Sequence, residues 1–530
     1  MRCSRVFSSF NVNPARSSHV RADTLRTLER SVTVFDVLAL RSEIPIEEYG
    51  EPLVTLNFMI PRRAIWLLRD WFLTKPRKPL FLRGARQVGK STAVRQFAET
   101  LGLELLEVNL ELASSLRPAF ATLDPQTILS EIGFLLKRGG STPDEKTVLF
   151  LDEVQAIPSA IQSLRYFYEK FPNIAVIAAG SLVEFALEDA QMSMPVGRVE
   201  YLYLQQLSFE EFLVALDETD LVDLMNSYSL GAPFPATAHD RLCARLRTFL
   251  LVGGMPEAID TFVRTKDLDA TRKVQINLIN TYREDFNKYC KRQDLVDLQT
   301  IFDRLPAIVG DKIKFSKLLP DARAAKAKYL LDLLFKSQVA LKVSHAAGNG
   351  VPFKEDSKVF KSYLLDCGLL GNLNELQELP TERMLELIFT NEGRLAEQFI
   401  AQHLIGLKPL GQRPTLNYWL REGKKNNAEV DFLISIAGRI VPIEVKAGET
   451  GRLRSLLQFV QEKDSKVAVR FDANLPSLQY LNFRPNSERE SAPPSHAVSS
   501  EASEQTKHCT VISLPLYLVQ QTNRLVREFE

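Results

Sequence analysis

From residue 64 onward, apolar positions alternate between helical stripes and short buried runs. Residues 64–73 have helical spacing, and Pro79-Leu-Phe-Leu-Arg83 suits a buried strand. Helical spacing returns over 90–101 through Val94, Phe97, Ala98 and Leu101. Residues 147–151 and 173–179 are two more buried-strand runs, and 200–204 alternates. Residues 205–300 read mostly helical, with one stripe through Phe209, Phe212, Leu213 and Leu216 and another through Leu242, Leu246 and Leu250. Two helices (315–319, 324–338) and a strand (339–343) follow, and 359–370 reads as a strand and turn. The last third predicts a helix over 393–404, strands at 416–420, 429–434 and 441–446, a helix over 452–462 and a strand at 466–470. Ala437-Gly438 marks a hairpin turn between the second and third of those strands. Residues 485–507 are rich in Ser, Pro and Glu and cannot bury a core, but apolar patterning returns at 511–519.

The run at 79–83 leads into Gly84-Ala85-Arg86-Gln87-Val88-Gly89-Lys90-Ser91-Thr92, which satisfies GxxxxGK[ST] between a strand and a helix. The glycines let the loop curl so that backbone N–H groups point at phosphate oxygens, and the helix N-terminus adds its positive dipole end. Lys90 would reach the β- and γ-phosphates of ATP, and Ser91 would bind Mg2+. The strand at 147–151 ends in Asp152-Glu153, two acids at the rim where doubly wound sheets bind ligands. Asp152 would hold the Mg2+ shell and Glu153 would orient or deprotonate the attacking water. The plainer reading is an acidic cap for the next helix. The strand at 173–179 ends in Gly180-Ser181, which places Ser181 where a polar group would contact the γ-phosphate or water.

Pro195-Val-Gly197-Arg198-Val199 and Leu207-Ser-Phe-Glu-Glu-Phe212 come next. The P-loop, the Asp-Glu strand end, the Gly-Ser strand end, Gly-Arg and this last motif, in this order, resemble prokaryotic AAA-type ATPases. The closest are those with a C-terminal domain of unknown function. The resemblance covers residues 60–485 and 511–519. It implies that Arg198 is the arginine-finger candidate, acting on the γ-phosphate of a neighbouring subunit in a homo-oligomer; a surface arginine is the alternative. It also implies that Pro256, in Gly253-Gly254-Met255-Pro256-Glu257, lies near the nucleotide, where a helix-ending turn is the alternative. Residues 301–370 resemble a winged-helix-like segment of the same family. Lys312, Lys314, Lys317, Arg323, Lys326 and Lys328 could form a DNA-contacting patch there, a solvated face, or a surface for another domain of the same protein.

Strand alternation puts Val430, Phe432 and Ile434 on one face and Asp431 on the other; Val441, Ile443 and Val445 likewise oppose Glu444 and Lys446. Carboxylates in such apolar strands are costly unless paired or metal-bound. The order Glu397, Asp431, Glu444-x-Lys446 resembles the PD-(D/E)xK nuclease core. That resemblance implies that Asp431 and Glu444 hold Mg2+ or Mn2+, that Glu397 adds a ligand and that Lys446 positions water. The alternative is a nuclease-like fold that only binds DNA or protein. Pro442 suggests that its strand is an edge, or that its missing N–H faces no partner.

The expected fold is α/β: a P-loop AAA-type core with a parallel sheet (59–205), a helical lid (206–300), a winged-helix-like connector (301–375) and a PD-(D/E)xK-like domain (376–484). A low-complexity excursion (485–510) and a terminal strand and helix (511–530) complete it. Residues 1–58 carry four early arginines and no acid before Asp23. They read as a poorly ordered extension or the product of an upstream start, with Met59 as an alternative start; a mitochondrial transit peptide is the other reading. Sixty-six Lys+Arg against 65 Asp+Glu leave +1, so DNA or an acidic membrane would need a local patch. Cys3, Cys243, Cys290, Cys367 and Cys509 form no CxxC pair, which fits a reducing cytoplasm. No apolar run is long enough for a membrane span. The expected activity is ATP hydrolysis coupled to nucleic-acid binding or cleavage. The alternative is an ATP-dependent switch that binds a partner protein; a P-loop kinase leaves the last third unexplained.

Overall fold

The computed structural model describes residues 60–138, 143–374, 393–409, 411–422, 427–446, 453–483 and 507–529. The extension expected over 1–58, and nearly all of the excursion expected over 485–510, lie outside them. The described residues all belong to a unit spanning Glu47–Glu530.

Helix α1 (Ala64–Leu73) is followed by β1 (Leu80–Arg83), α2 (Lys90–Thr100), β2 (Glu104–Asn109), β3 (Thr147–Asp152), α3 (Pro158–Lys170), β4 (Ala175–Ala179) and β5 (Glu200–Tyr203). The five strands form one parallel sheet in the order β2-β3-β4-β1-β5. Parallel strands need crossovers, whose helices cover both faces, so β3 and β4 are buried along their whole length. The edge strand β2 has no counterpart in the predicted elements. It carries Glu104 and Glu107 and is only half buried, so its run is not continuously apolar. The C-terminal ends of β1, β4 and β3 lie side by side, which puts residues 84–91, Gly180-Ser181 and Asp152-Glu153 on one rim.

The chain then turns helical: α4 (Phe209–Ala215), Thr219–Ser227, α5 (Ala236–Val252), α6 (Pro256–Thr265) and α7 (Leu268–Asp285). After Leu295–Arg304 come α8 (Phe315–Leu318) and α9 (Ala324–Lys336). Two residues of the expected basic patch are spoken for. Lys312 Nζ lies 2.5 Å from Glu422, and Lys326 Nζ lies 2.9 Å from Asp294 and 2.6 Å from Asp297.

The remaining elements are β6 (Ala340–Ala346), β7 (Glu355–Leu364), α10 (Cys367–Leu373), α11 (Gly393–Gly406), β8 (Leu416–Arg421), β9 (Ala428–Ile436), β10 (Arg439–Val445), α12 (Arg454–Lys463), β11 (Val467–Asp472), β12 (Ser477–Phe483) and β13 (Lys507–Pro515). They build an eight-stranded mixed sheet, β12-β13-β11-β10-β9-β8-β6-β7. Strands β6 and β7 come from the stretch read as a connector, yet β6 pairs in parallel with β8 and extends the C-terminal sheet. Trp419, Val430, Leu433, Leu456, Phe459 and Val511 form the core under α12. Ala437 and Gly438 both take positive φ (47° and 77°), which closes the expected two-residue hairpin.

Two expectations are corrected. Residues 359–370 are a strand followed by a helix, not a strand and turn, because the Asp366 side chain accepts from the N–H groups of Gly368 and Leu369 and starts α10. Strand β10 is central rather than an edge, lying between β9 and β11. The other reading of Pro442, a missing N–H that faces no partner, fits instead: Lys446 N–H bonds Phe471 O of β11, so by alternation the N of Pro442 points toward β11 too, ahead of the ladder that begins at Ile443.

Candidate functional site

The P-loop residues surround the start of α2. Gly89 takes φ 87°, a conformation that L side chains rarely adopt. The buried Lys90 Nζ donates to the carbonyls of Gly84 (3.1 Å) and Ala85 (2.8 Å). Burial pulls its pKa down to about 8, against the pull of Glu153 and Asp152. Ser91 Oγ donates to Asp152 Oδ2 at 2.6 Å. These two hard oxygens, in contact beside the loop, are a fitting pair for Mg2+. Burial, first, raises the Asp152 carboxyl above its ordinary range despite the Ser91 bond.

Glu153, directly after β3, adopts φ 51°, strained for a residue with a side chain. Gln155 Nε2 donates to its carboxylate. Ser181 Oγ is buried without a hydrogen-bond partner, as is Gln155 Oε1. This buried hydroxyl follows β4 on the same rim as Asp152-Glu153. Arg198 lies away from these groups: its Nε donates to Glu169 Oε1 at 3.0 Å, and its guanidinium stands over Tyr168.

Pro256 does pack on the loop, since a β-carbon on Gly89 would lie 3.5 Å from its Cγ. Other braces were not visible in the sequence. The buried Arg62 donates to Val88 O (2.9 Å) and Gln205 O (2.7 Å), and its Nε lies 3.3 Å from Glu211. Glu211 also closes a capping box with Ser208 at the start of α4, which gives the motif at 207–212 its physical role. From α7, Tyr282 OH donates to Arg86 O at 2.8 Å, and Asp285 Oδ2 lies 2.7 Å from Arg86 Nε. Gln87 and Thr92 complete the loop.

The second cluster lies on the C-terminal sheet, where Glu397 of α11 meets Asp431 of β9 and Glu444 of β10. Tyr363 OH donates to Glu397 Oε2 at 2.7 Å, and Val445 N–H donates to Asp431 Oδ2 at 2.8 Å. Lys446 Nζ lies 2.5 Å from Glu444 Oε1, while Glu444 Oε2 is buried without a partner. Burial and then the Asp431 charge raise the pKa of both Glu397 and Glu444. A fifth group was not anticipated. Lys361 of β7, 1% exposed, pairs with Glu429 and has its Nζ 3.9 Å from both Glu397 Oε2 and Asp431 Oδ1. Burial would lower its pKa, but Glu397, Asp431 and Glu429 together hold it above the ordinary value. Among the described residues, no group of three or more His, Cys, Asp or Glu side chains is arranged to hold a metal ion. The carboxylates have the right chemistry, but an ammonium lies among them, so the cluster as built does not fit Mg2+ or Mn2+.

Polar side chains of α11 bind it to β7 and α10, and His403 alone among these three reaches the AAA domain, at Phe209. Gln398 Oε1 accepts from Leu364 N–H (2.9 Å), Gln402 Oε1 from Cys367 N–H (2.9 Å), and His403 Nε2 from Phe209 N–H (2.9 Å).

Residues 76–213 match the family model of an AAA domain. Residues 243–379 match a domain of unknown function (DUF8612), and residues 392–480 match another (DUF4143). Among curated proteins, none matches. Among solved structures, the Aeropyrum pernix ORC1 protein in complex with DNA shares 12% identity over 63% of this chain and 92% of its own, with a TM-score of 0.25. PCH-2 of C. elegans shares 12% identity over 41% of this chain and 70% of its own, with a TM-score of 0.24. The family match makes residues 76–213 an AAA-type ATPase domain, built on the parallel five-stranded sheet. No helix among the described residues is long and apolar enough to cross a membrane.

Proposed function

We propose that this is an ATP-hydrolysing AAA-type switch whose nuclease-like C-terminal sheet binds a partner protein. The convergence of Lys90, Ser91, Asp152, Glu153 and the unpaired Ser181 on one rim of the parallel sheet carries this reading. On binding ATP, Lys90 would exchange the Gly84 and Ala85 carbonyls for phosphate oxygens, a trade of neutral acceptors for charged ones. Ser91 and Asp152 would hold Mg2+, which neutralises phosphate charge when bound. Glu153, held by Gln155, would orient the attacking water, and Ser181 would donate to the γ-phosphate or to that water. The Arg198–Glu169 pair is partly exposed, so Arg198 would act on the phosphate of a neighbouring copy in a homo-oligomer.

We read α8, α9 and the β6–β7 hairpin as a winged-helix-like connector whose hairpin has been absorbed into the next sheet. The order α11-β8-β9-β10-α12-β11 reads as PD-(D/E)xK-like. Because the carboxylate cluster does not fit a divalent metal, no cleavage step is derived through it. A nucleic-acid reading has one observation of its own: Lys314, Lys317, Arg323 and Lys328 are exposed around α8 and α9. The free thiols of Cys243, Cys290, Cys367 and Cys509 support a cytoplasmic setting.

The test is ATP hydrolysis by the purified protein beside Lys90→Ala and Glu153→Gln. Hydrolysis that both substitutions remove supports the reading, and hydrolysis indifferent to Lys90→Ala sinks it. Nicking of DNA in the same tubes, lost only with Lys446→Ala, would replace the partner-protein reading with a nuclease.

A further inference from the structure

We propose that Lys361 is the resident cation of the C-terminal carboxylate cluster, its ammonium standing where a nuclease would hold a divalent metal. The inference rests on the nuclease-like reading of this sheet and explains why that reading stops short of cleavage.

Each of the four carboxylates already has one oxygen facing a cation or a donor. Glu429 pairs directly with Lys361. Glu397 Oε2 accepts from Tyr363 and faces the same ammonium at 3.9 Å. Asp431 Oδ1 faces it at 3.9 Å, and Asp431 Oδ2 is taken by Val445 N–H. Lys446 engages Glu444 Oε1, leaving Glu444 Oε2 as the one buried cluster oxygen without a partner. A divalent ion shared by Asp431 and Glu444 would therefore meet Lys361 on its Asp431 side. Two cations competing for the same buried oxygens repel strongly in a low-dielectric site, and the covalently tethered one has no binding entropy to lose.

The position of Lys361 is built rather than incidental. It lies on β7 two residues before Tyr363, so both side chains share one face of the strand. Its neighbour Ser362 is paired across the sheet with Lys342 of β6, which fixes the register. The ring of Tyr418 lies 5.2 Å from the ammonium and closes the site from a second strand. Lys446 serves Glu444, and Lys361 is the cation that faces Glu397, Glu429 and Asp431; without it the buried carboxylates of Glu397 and Asp431 would lose their counter-charge.

The experiment is a Mn2+ titration followed by electron paramagnetic resonance, without nucleotide. The full-length protein carries Asp152→Asn, so that the ATP site contributes nothing. This parent is expected to take up no Mn2+ that Asp431→Asn removes, and its melting temperature should not respond to Mn2+. Adding Lys361→Met should lower the melting temperature, create a site for about one Mn2+ per chain, and let Mn2+ restore the melting temperature. Adding Asp431→Asn as well should abolish that uptake. Asp431-dependent Mn2+ binding by the parent itself would overturn the proposal, and this arm decides even if Lys361→Met does not fold. A Lys361→Met protein of unchanged stability that takes up no Mn2+ would also overturn it. Hydrolysis of ATP by the wild type is measured separately, so failure of the ATPase reading and failure of this inference give different results.

Discussion

The fully buried carboxylate of Asp366 accepts a 2.6 Å hydrogen bond from the backbone N–H of Gly254, 112 residues away in sequence. Its other oxygen accepts from Gly368 N–H (2.9 Å) and Leu369 N–H (3.2 Å). Gly254 lies two residues before Pro256, which packs on the P-loop, and Asp366 follows directly on β7, which carries Lys361. One carboxylate thus joins the segment that touches the nucleotide loop to the strand that fills the acidic cluster.

Asp366→Asn keeps the shape but turns one acceptor into a donor facing N–H groups. The expected loss is about 1–3 kcal/mol of stability, read from urea denaturation, with weaker ATP binding. Gly253→Ala should cost at least as much, because Gly253 has φ 73° and an added β-carbon would lie 2.1 Å from Asp366 Oδ1. Wild-type stability in both variants would show that the junction carries no energy.

The brace between Arg62 and Glu211 offers a second prediction. Both side chains are buried and Arg62 reaches the P-loop carbonyl of Val88, so Glu211→Gln leaves a buried guanidinium without its counter-charge. The expected cost is about 3 kcal/mol, with a raised Kd for ATP. In a double-mutant cycle, Arg62→Met combined with Glu211→Gln should cost less than the sum of the two single changes. Strict additivity would mean that the pair is not coupled.

How far the sequence reveals this site depends on how local the chemistry is. Lys90, Ser91, Asp152 and Glu153 were legible because a P-loop and a strand ending in two acids are contiguous words. Arg62 and Asp366 were not, since their partners lie 149 and 112 residues away and nothing beside them in sequence names those partners. Lys361 is the instructive case. The rule that singled out Asp431 and Glu444, that a charge in an apolar strand needs a partner, applies equally to the lysine in Val359-Phe-Lys-Ser-Tyr363. Alternation gives its face, but only the parallel pairing of β6 with β8 brings β7 into the carboxylates' sheet, and pairing between distant strands leaves no mark in local periodicity.

Glu153 and Ser181 separate binding from chemistry. On the proposed role of Glu153 in orienting or deprotonating water, Glu153→Gln should bind ATP with near-normal affinity and hydrolyse it on the order of 100- to 10,000-fold more slowly. Ser181→Ala should be stable, since its hydroxyl has no protein partner to lose, and should be slower in hydrolysis. A Ser181→Ala enzyme with full turnover would remove that residue from the mechanism.

His403 predicts a pH dependence of its own. Its Nε2 accepts from Phe209 N–H, so the proton sits on Nδ1, which donates to Phe399 O at 2.8 Å. A second proton would meet the Phe209 N–H head-on in a buried aromatic cluster with Phe249 and Phe399. Burial pulls the pKa from 6.5 down to about 4. The unfolded chain therefore takes up the proton first as the pH falls. Stability from this group is complete above about pH 6.5 and is lost on the way down to about pH 4, a swing of about 3 kcal/mol. Asp366 works in the opposite sense: burial raises its pKa to about 6, so it destabilises the fold as the pH rises from 3.8 through that value. Burial also raises the pKa of Glu397 and Glu444, so the net profile of the wild type mixes several groups and the informative quantity is a difference. His403→Gln retains an acceptor for Phe209 but does not titrate. It should be less stable than the wild type at pH 8, and the gap should narrow by about 2 kcal/mol by pH 5. Urea denaturation of both proteins at pH 8, 6.5 and 5 measures this, and parallel profiles would show that His403 is not held neutral by its place on α11 against the start of α4.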